Sequence, residues 1–410
     1  MIYQLHEFQK SMLAPMRLTA EAHHLLLRHP FNPLGYTHGG RALAAACEIF
    51  EAGTRHYAKP AFGIKSVRIG DRRLAVRERI IARKNFCQLK RFERQGDEDG
   101  AFGQPKLLIV APLSGHFATL LRDTVCTLLS DHDVYITDWR DASRVPLRQG
   151  DFDLDDYIDY LIDFLHLLGP DCHTMAVCQP SVPLLAAVAF MSAVGDAMTP
   201  RSMVLMGGPV DSRVNPTTPN KFAKSHSLAW FERTVINRVP AYYPGVMRRV
   251  YPGFLQLSGF MSMNLDRHVG AHMKMFHDLV RGDGDSAAQH RAFYGEYRAV
   301  MDLTAAYYLQ TVQRVFQEHQ LAVGTFCHRD ELIEPRAITD CALMTVEGAK
   351  DDISGVGQTR AAQELCAALP DGMREHWEQP GVGHYGVFNG RRWRRDIAPR
   401  IRAFIARHHR

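Results

Sequence analysis

Thr174-Met-Ala-Val-Cys-Gln-Pro-Ser181 carries a short apolar run directly into a helical stretch, with a cysteine at the turn. A continuous apolar run of this length, bounded by a turn, fits a strand buried on both faces of a sheet. The helix that follows runs from about Pro180 to Val194. A proline in its first turn costs nothing, because the first N–H groups of a helix have no partner within it. The same unit repeats on both sides. Upstream lie Lys106-Leu-Leu-Ile-Val-Ala111 with a helix through Leu120 to Leu129, then Val134-Tyr-Ile-Thr-Asp138 with a helix from about Leu154 to Leu168. Downstream lies Ser202-Met-Val-Leu-Met206. The rhythm stops at Gly207-Gly-Pro209 and resumes at Ala342-Leu-Met-Thr-Val346. A helix around Gln358 to Leu369, a strand near Glu375 to Gln379 and a C-terminal helix follow. Short apolar strands alternating with helices predict an α/β protein with a mostly parallel central sheet and helices on both faces. Leu74 to Lys84 and Phe86 to Arg94 carry alternating charges and read as an antiparallel pair at the sheet edge. Residues 1 to about 60 read as helices broken near Pro30 to Gly40.

Residues 207–335 differ in composition. They are rich in aromatics and methionine, among them Trp230, Tyr243, Phe254, Phe260, Met263 and Tyr308, and helical patterns dominate. This predicts a mainly helical cap inserted between two strands of a core built from residues 1–206 and 336–410. The position matters, because an insertion after the strand that follows the turn overhangs the C-terminal edge of the sheet. Ligands bind at that edge in open α/β folds. Trp230 and Tyr243 are the first candidates for lining a substrate groove there.

The strand-to-helix turn is where an α/β-hydrolase fold holds its nucleophile, usually as Gly-x-Ser-x-Gly. Here Ala176 meets the need for a small residue, Pro180 replaces the second glycine, and the nucleophile would be Cys178. A thiolate at a helix N-terminus gains from the helix dipole and from a partner histidine. Ser181 offers a rival hydroxyl, but three residues on it should face into the helix. The fold takes its acid after a later strand and its histidine after the last one. Asp351 and Asp352 follow the strand Ala342 to Val346, and His384 sits in the loop Gly381-Val-Gly-His-Tyr-Gly386. Asp351 is preferred, with Asp352 as the alternative. Its task is to orient the imidazole and stabilise its charged form. Oxyanion donors are expected from the backbone N–H of Gln179 and from Leu113 or Ser114, after the strand ending at Ala111.

Composition bounds the reading. The chain has 410 residues, 46% hydrophobic and 23% charged, enough apolar material for a large core. The formal net charge of +5 is spread out. Its dense runs, Arg391 to Arg395 and Arg400 to Arg402, fall at the spacing of Trp393, Ile397, Ile401 and Ile405, the solvated face of an amphipathic helix. No nucleic acid partner is expected. Eight cysteines form no CxxC pair or zinc pattern, so no metal is expected, and no cofactor is implied. Scattered cysteines suit a reducing compartment. With no signal-like start and no long apolar run, a cytoplasmic protein without a membrane span is expected.

At these residues the chain resembles the intracellular poly(3-hydroxybutyrate) depolymerases of bacteria. The resemblance extends over nearly the whole length. It includes Met1-Ile-Tyr-Gln-Leu-His-Glu-Phe-Gln9, Ala111-Pro-Leu-Ser-Gly-His116, Val177-Cys-Gln-Pro180, Met206-Gly-Gly-Pro209, Arg249-Val-Tyr-Pro-Gly-Phe-Leu255, Asp351-Asp-Ile-Ser-Gly355 and Gly383-His-Tyr-Gly386. It implies a carboxylesterase with Cys178, Asp351 and His384 as its triad, acting on polyester granules in the cytoplasm. It implies 3-hydroxybutyrate or short oligomers as product. Two rival readings stand beside it. One is a synthase-like acyltransferase, against which the Cys-Gln-Pro form argues. The other is an inactive granule-binding protein of the same fold. A homodimer is left open.

Overall fold

Apolar runs at five to seven residues make the centre of a nine-stranded sheet. The computed structural model describes residues 2–97, 102–263, 265–281 and 283–409. Before residue 207 the chain forms β1 (Ser66–Ile69), β2 (Arg72–Arg83), β3 (Cys87–Arg94), β4 (Lys106–Val110), β5 (Asp133–Trp139), β6 (Cys172–Val177) and β7 (Ser202–Met206). A small ribbon, β8 (Asn237–Arg238), β9 (Arg249–Tyr251) and β10 (Leu303–Thr304), and a hairpin, β11 (Cys327–His328) and β12 (Glu331–Leu332), lie in the following segment. The chain then rejoins the sheet as β13 (Ala342–Gly348) and β14 (Arg374–Gln379). The sheet order is β1-β2-β3-β5-β4-β6-β7-β13-β14. Strands β1 to β3 run antiparallel at one edge, and the six from β5 to β14 are parallel. This is the α/β-hydrolase fold.

Among the parallel strands, β5, β6, β7 and β13 are buried at every position, while the edge strand β14 is only partly buried. Helices α1 (Ile2–Leu27), α2 (His38–Thr54), α3 (Arg122–Leu128), α4 (Leu154–Leu168) and α5 (Ser181–Ala193) precede β7. In α4, Leu154, Tyr157, Ile158, Leu161, Phe164, Leu165 and Leu168 form one buried face at helical spacing. Each such side chain contributes about 1.5–3 kcal/mol on burial. Asp153 and Asp156 close its first turn with reciprocal hydrogen bonds of 2.9 and 3.0 Å. Helix α5 has no polar face, since it is buried almost all round, and its residues are apolar to match.

Strand order places the site. From β4 the chain crosses to β5 on one side, whereas β6 lies on the other side of β4. The loops leaving β4 and β6 therefore part, and a crevice opens at their C-terminal ends. Between β7 and β13 the chain is mainly helical: α6 (Thr218–Ser225), α7 (Leu228–Thr234), α8 (Gly253–Met263), α9 (Leu265–Arg281), α10 (Gly284–Tyr297) and α11 (Ala305–Thr311). Met301 N–H bonds Gly115 O at 2.7 Å, and His116 Nε2 meets Tyr297 O at 3.0 Å, which pins this segment to the loop after β4.

Helices α1 and α2 pack on each other and against this segment. The Tyr3 ring meets Phe254 edge-on at 5.6 Å, its hydroxyl donates to Asp302 Oδ2 at 2.9 Å, and Arg291 pairs with Glu48. The outward face of α1 is apolar: Leu5, Phe8, Met12 and Met16, spaced three or four apart, are 55–63% exposed. The basic C-terminal run is paired within the chain, Arg394 to Asp123, Arg402 to Asp131 and Arg407 to Glu375, while Trp393, Ile397, Ile401 and Ile405 are buried. All eight cysteines are free. Among the described residues no helix is long and apolar enough to cross a membrane, and no side chains cluster as a metal site.

The helix expected over Gln358 to Leu369 shortens to Ala361–Leu365. The buried Glu347 carboxylate takes the N–H groups of Gly357, Thr359 and Arg360 at 2.7–2.9 Å, so that stretch is shaped by a side chain rather than by a helical ladder.

Candidate active site

Cys178 directly follows β6, with φ +70°. That left-handed conformation is unfavourable for any residue with a Cβ. Neighbours hold it. Its N–H bonds Met206 O on β7 at 2.7 Å, and Ser181 N–H and Val182 N–H bond Cys178 O and Gln179 O at 3.1 and 3.2 Å to begin α5. The turn leaves Cys178 half-buried at a cavity wall, while Ser181 is fully buried behind it and does not reach the cavity.

The Gly207-Gly208 pair passes close beneath. A Cβ at Gly208 would lie 2.1 Å from Ser181 Oγ and 2.8 Å from Cys178 O. Gly207 has φ +56°, and a Cβ there would lie 3.3 Å from Asp351 Oδ2. Thr359 fixes this crossing, its hydroxyl accepting from Gly208 N–H at 2.8 Å and donating to Gly208 O at 2.9 Å. Thr359 and Glu347 thus shape the site without touching the cavity, and neither was singled out in the sequence. An acidic residue ending the apolar run Ala342 to Val346 was the available signal for Glu347.

The loops after β13 and β14 bring Asp351 and His384 together. His384 Nδ1–H donates to Asp351 Oδ2 at 2.7 Å. Asp351 Oδ1 accepts the N–H groups of Ile353 and Ser354, both at 2.9 Å, so the carboxylate has a fixed orientation. Asp352 is exposed, and the hydrogen bond to His384 Nδ1 is made by Asp351. Burial opposes a charged imidazole, but the charges of Asp351 and Cys178 and hydrogen bonds to both outweigh it. His384 is held well above the ordinary histidine range.

The cavity at Cys178 has a volume of about 400 Å³. Ser114, Gln179 and His384 border it, and α6, α7, α8 and α11 supply most of its apolar wall through Phe222, Phe231, Phe260, Met263, Tyr307 and Tyr308. Leu113 turns its side chain into the core. The groove expectation for Trp230 and Tyr243 needs correction, because neither lines the cavity. Trp230 packs on Phe222 and His226, since the short α7 turns Phe231 inward instead. Tyr243 packs on Tyr3 beneath Arg144. Tyr385, next to His384, borders both this cavity and a second one of about 530 Å³ against α9 and α10.

A family model described as "PHB de-polymerase C-terminus" matches residues 207–409. The match opens directly after β7 and includes Asp351 and His384. No curated protein matches the sequence. Solved structures similar in fold include a putative lipase from Acinetobacter baumannii AYE, at 13% identity over 82% of this chain and 92% of that one, TM-score 0.44. The α/β hydrolase GrgF from Penicillium sp. sh18 is similar at 14% identity over 82% and 99%, TM-score 0.44. A monoacylglycerol lipase from Paleococcus ferrophilus is similar at 11% identity over 74% and 96%, TM-score 0.42.

Proposed function

We propose that this chain, which belongs to the PHB de-polymerase family, hydrolyses the ester bonds of poly(3-hydroxybutyrate) through an acyl-cysteine intermediate, in the cytoplasm at the surface of polyester granules. The observation that carries the reading is a sulfur on a left-handed strand-helix turn, at the wall of an apolar cavity bordered by an imidazole that is hydrogen-bonded to a fixed carboxylate. In this reading His384 takes the thiol proton as Cys178 Sγ attacks the ester carbonyl. The C–O bond breaks, and His384 returns the proton to the leaving alcohol. A water then gives a proton to His384 and attacks the thioester. The C–S bond breaks, the acid leaves, and Cys178 regains its proton. The developing oxyanion is held by the N–H of Gln179 and one N–H of the Leu113-Ser114 pair.

Amorphous poly(3-hydroxybutyrate) suspensions should clear on addition of the protein, releasing 3-hydroxybutyrate or short oligomers. Product analysis with and without CoA checks this. An unchanged suspension would count against the reading, and polymer growth with CoA release from 3-hydroxybutyryl-CoA would replace it with acyl transfer.

Residues 207–335 act as the cap in this proposal, and the aromatic wall they supply supports that role. Phe231→Ala should weaken polymer clearing about tenfold more than hydrolysis of a short p-nitrophenyl ester, since removing a buried aromatic costs a long apolar ligand more contact than a small one. Equal losses on the two substrates would assign Phe231 to the fold.

The neutral stripe on α1 supports contact with an apolar, uncharged surface, because soluble helices ordinarily turn charge outward. Phe8→Glu with Met12→Glu should cut the fraction that sediments with polymer about tenfold, measured alongside soluble-ester turnover. Undiminished sedimentation would place the contact elsewhere.

A further inference from the structure

The loop after β4 brings a second imidazole to the cavity at Cys178. His116 is 3% exposed and borders that cavity, its ring packed near Tyr297 and Phe260 at centroid distances of 5.1 and 5.6 Å. Its Nε2 meets Tyr297 O at 3.0 Å. A carbonyl oxygen only accepts, so Nε2 carries the proton. Burial holds the ring neutral and pushes its pKa down to about 4. A neutral imidazole has one N–H, which leaves Nδ1 with a bare lone pair. Among the described residues none hydrogen-bonds Nδ1. Nor is Nδ1 one of the sealed polar atoms that lack a partner, so it opens to the cavity.

A buried acceptor without a donor is costly, and a ligand that donates removes the deficit. The internal repeats of a hydroxy-acid polyester cannot do so, because every oxygen in them belongs to an ester and only accepts. The ionised carboxyl end accepts likewise. The one donor of such a chain is the free hydroxyl at its other end, and the acyl half of any ester that is cleaved runs to that hydroxyl. We propose that His116 Nδ1 accepts a hydrogen bond from this terminal hydroxyl, so that the cavity takes the hydroxyl end of the chain in preference to its interior and the polymer is shortened from that end. The inference rests on ester cleavage at Cys178 and adds the recognition of a chain end. His116 takes no part in bond making or breaking.

The test compares kcat/KM for a linear 3-hydroxybutyrate trimer methyl ester with a free hydroxyl end and for the same trimer capped there as a methyl ether, which keeps the oxygen and removes the donor. The wild-type protein should prefer the free hydroxyl by about tenfold or more, the scale of a buried acceptor left unpaired. Two variants separate recognition from support of the loop. In His116→Gln the side-chain NH₂ can still reach Tyr297 O, but the Nδ1 acceptor is lost, and the preference should fall toward unity. In His116→Asn the bond to Tyr297 is lost, but Oδ1 can take the place of Nδ1, and most of the preference should remain. Turnover of p-nitrophenyl butanoate in the same preparations reports on folding and on Cys178. No preference in the wild type, or a preference kept in His116→Gln, overturns the assignment and leaves Nδ1 to a bound water. A preference lost in His116→Asn but not in His116→Gln overturns it in favour of a supporting role through Tyr297. A wild-type protein that cleaves neither the trimers nor p-nitrophenyl butanoate overturns the ester-hydrolase reading itself, and the end selection with it.

Discussion

Replacing Cys178 by alanine is expected to abolish ester hydrolysis, with a loss of at least about 10⁴-fold in kcat, while the protein still folds. Loss of a nucleophile has effects of this size because every later step depends on the covalent bond it forms. The fold should survive for a local reason. The turn is held by backbone bonds from Cys178 N–H to Met206 O and from Ser181 N–H to Cys178 O, and alanine keeps both. Steady-state rates with a soluble ester, together with a thermal melt, check the two halves separately. Normal turnover by the variant would sink the assignment of Cys178. A serine there should retain only a trace, since a hydroxyl ionises far less readily than a thiol.

Asp351→Asn is predicted to lower kcat by about 10⁴-fold, as tautomer reversal does in a triad. The surroundings of the carboxylate say why. Its Oδ1 accepts from two backbone N–H groups, of Ile353 and Ser354. An asparagine would keep its single oxygen there and turn its NH₂ toward His384. Nδ1 of the imidazole would then have to accept, the proton would sit on Nε2, and no lone pair would remain there to receive a thiol proton. Asp352→Asn, at an exposed position, should change kcat by no more than about twofold. If Asp352→Asn proves the more damaging change, the two residues exchange roles.

Much of the fold could be read because its strands are buried on both faces and its helices present long periodic faces. Helix α4 and strand β7 fall at the residues the pattern predicts, Leu154–Leu168 and Ser202–Met206. What the pattern missed has no period to detect. Strand β1 has four residues, and the ribbon β8 to β10 has strands of two or three, too short for alternation to register. The choice between Asp351 and Asp352 could not be read from two adjacent identical side chains. The two N–H groups that hold Asp351 come from the turn after it, and only the folded loop shows where they point. Trp230 and Phe231 pose the same difficulty: in a seven-residue helix the inward position is set by what the helix packs against, and here Phe231 takes it.

The left-handed backbone at Cys178 also bears on the stability of the molecule. A side chain confined to that region costs on the order of 1–3 kcal/mol, against a folding free energy of roughly 5–15 kcal/mol for a typical domain. A measurable part of the protein's thermal margin is therefore invested in one peptide unit. The return is rigidity, for a sulfur projected from a strained turn between β6 and α5 has few other places to go. Selection for greater heat resistance would thus press on the very residue proposed as the nucleophile.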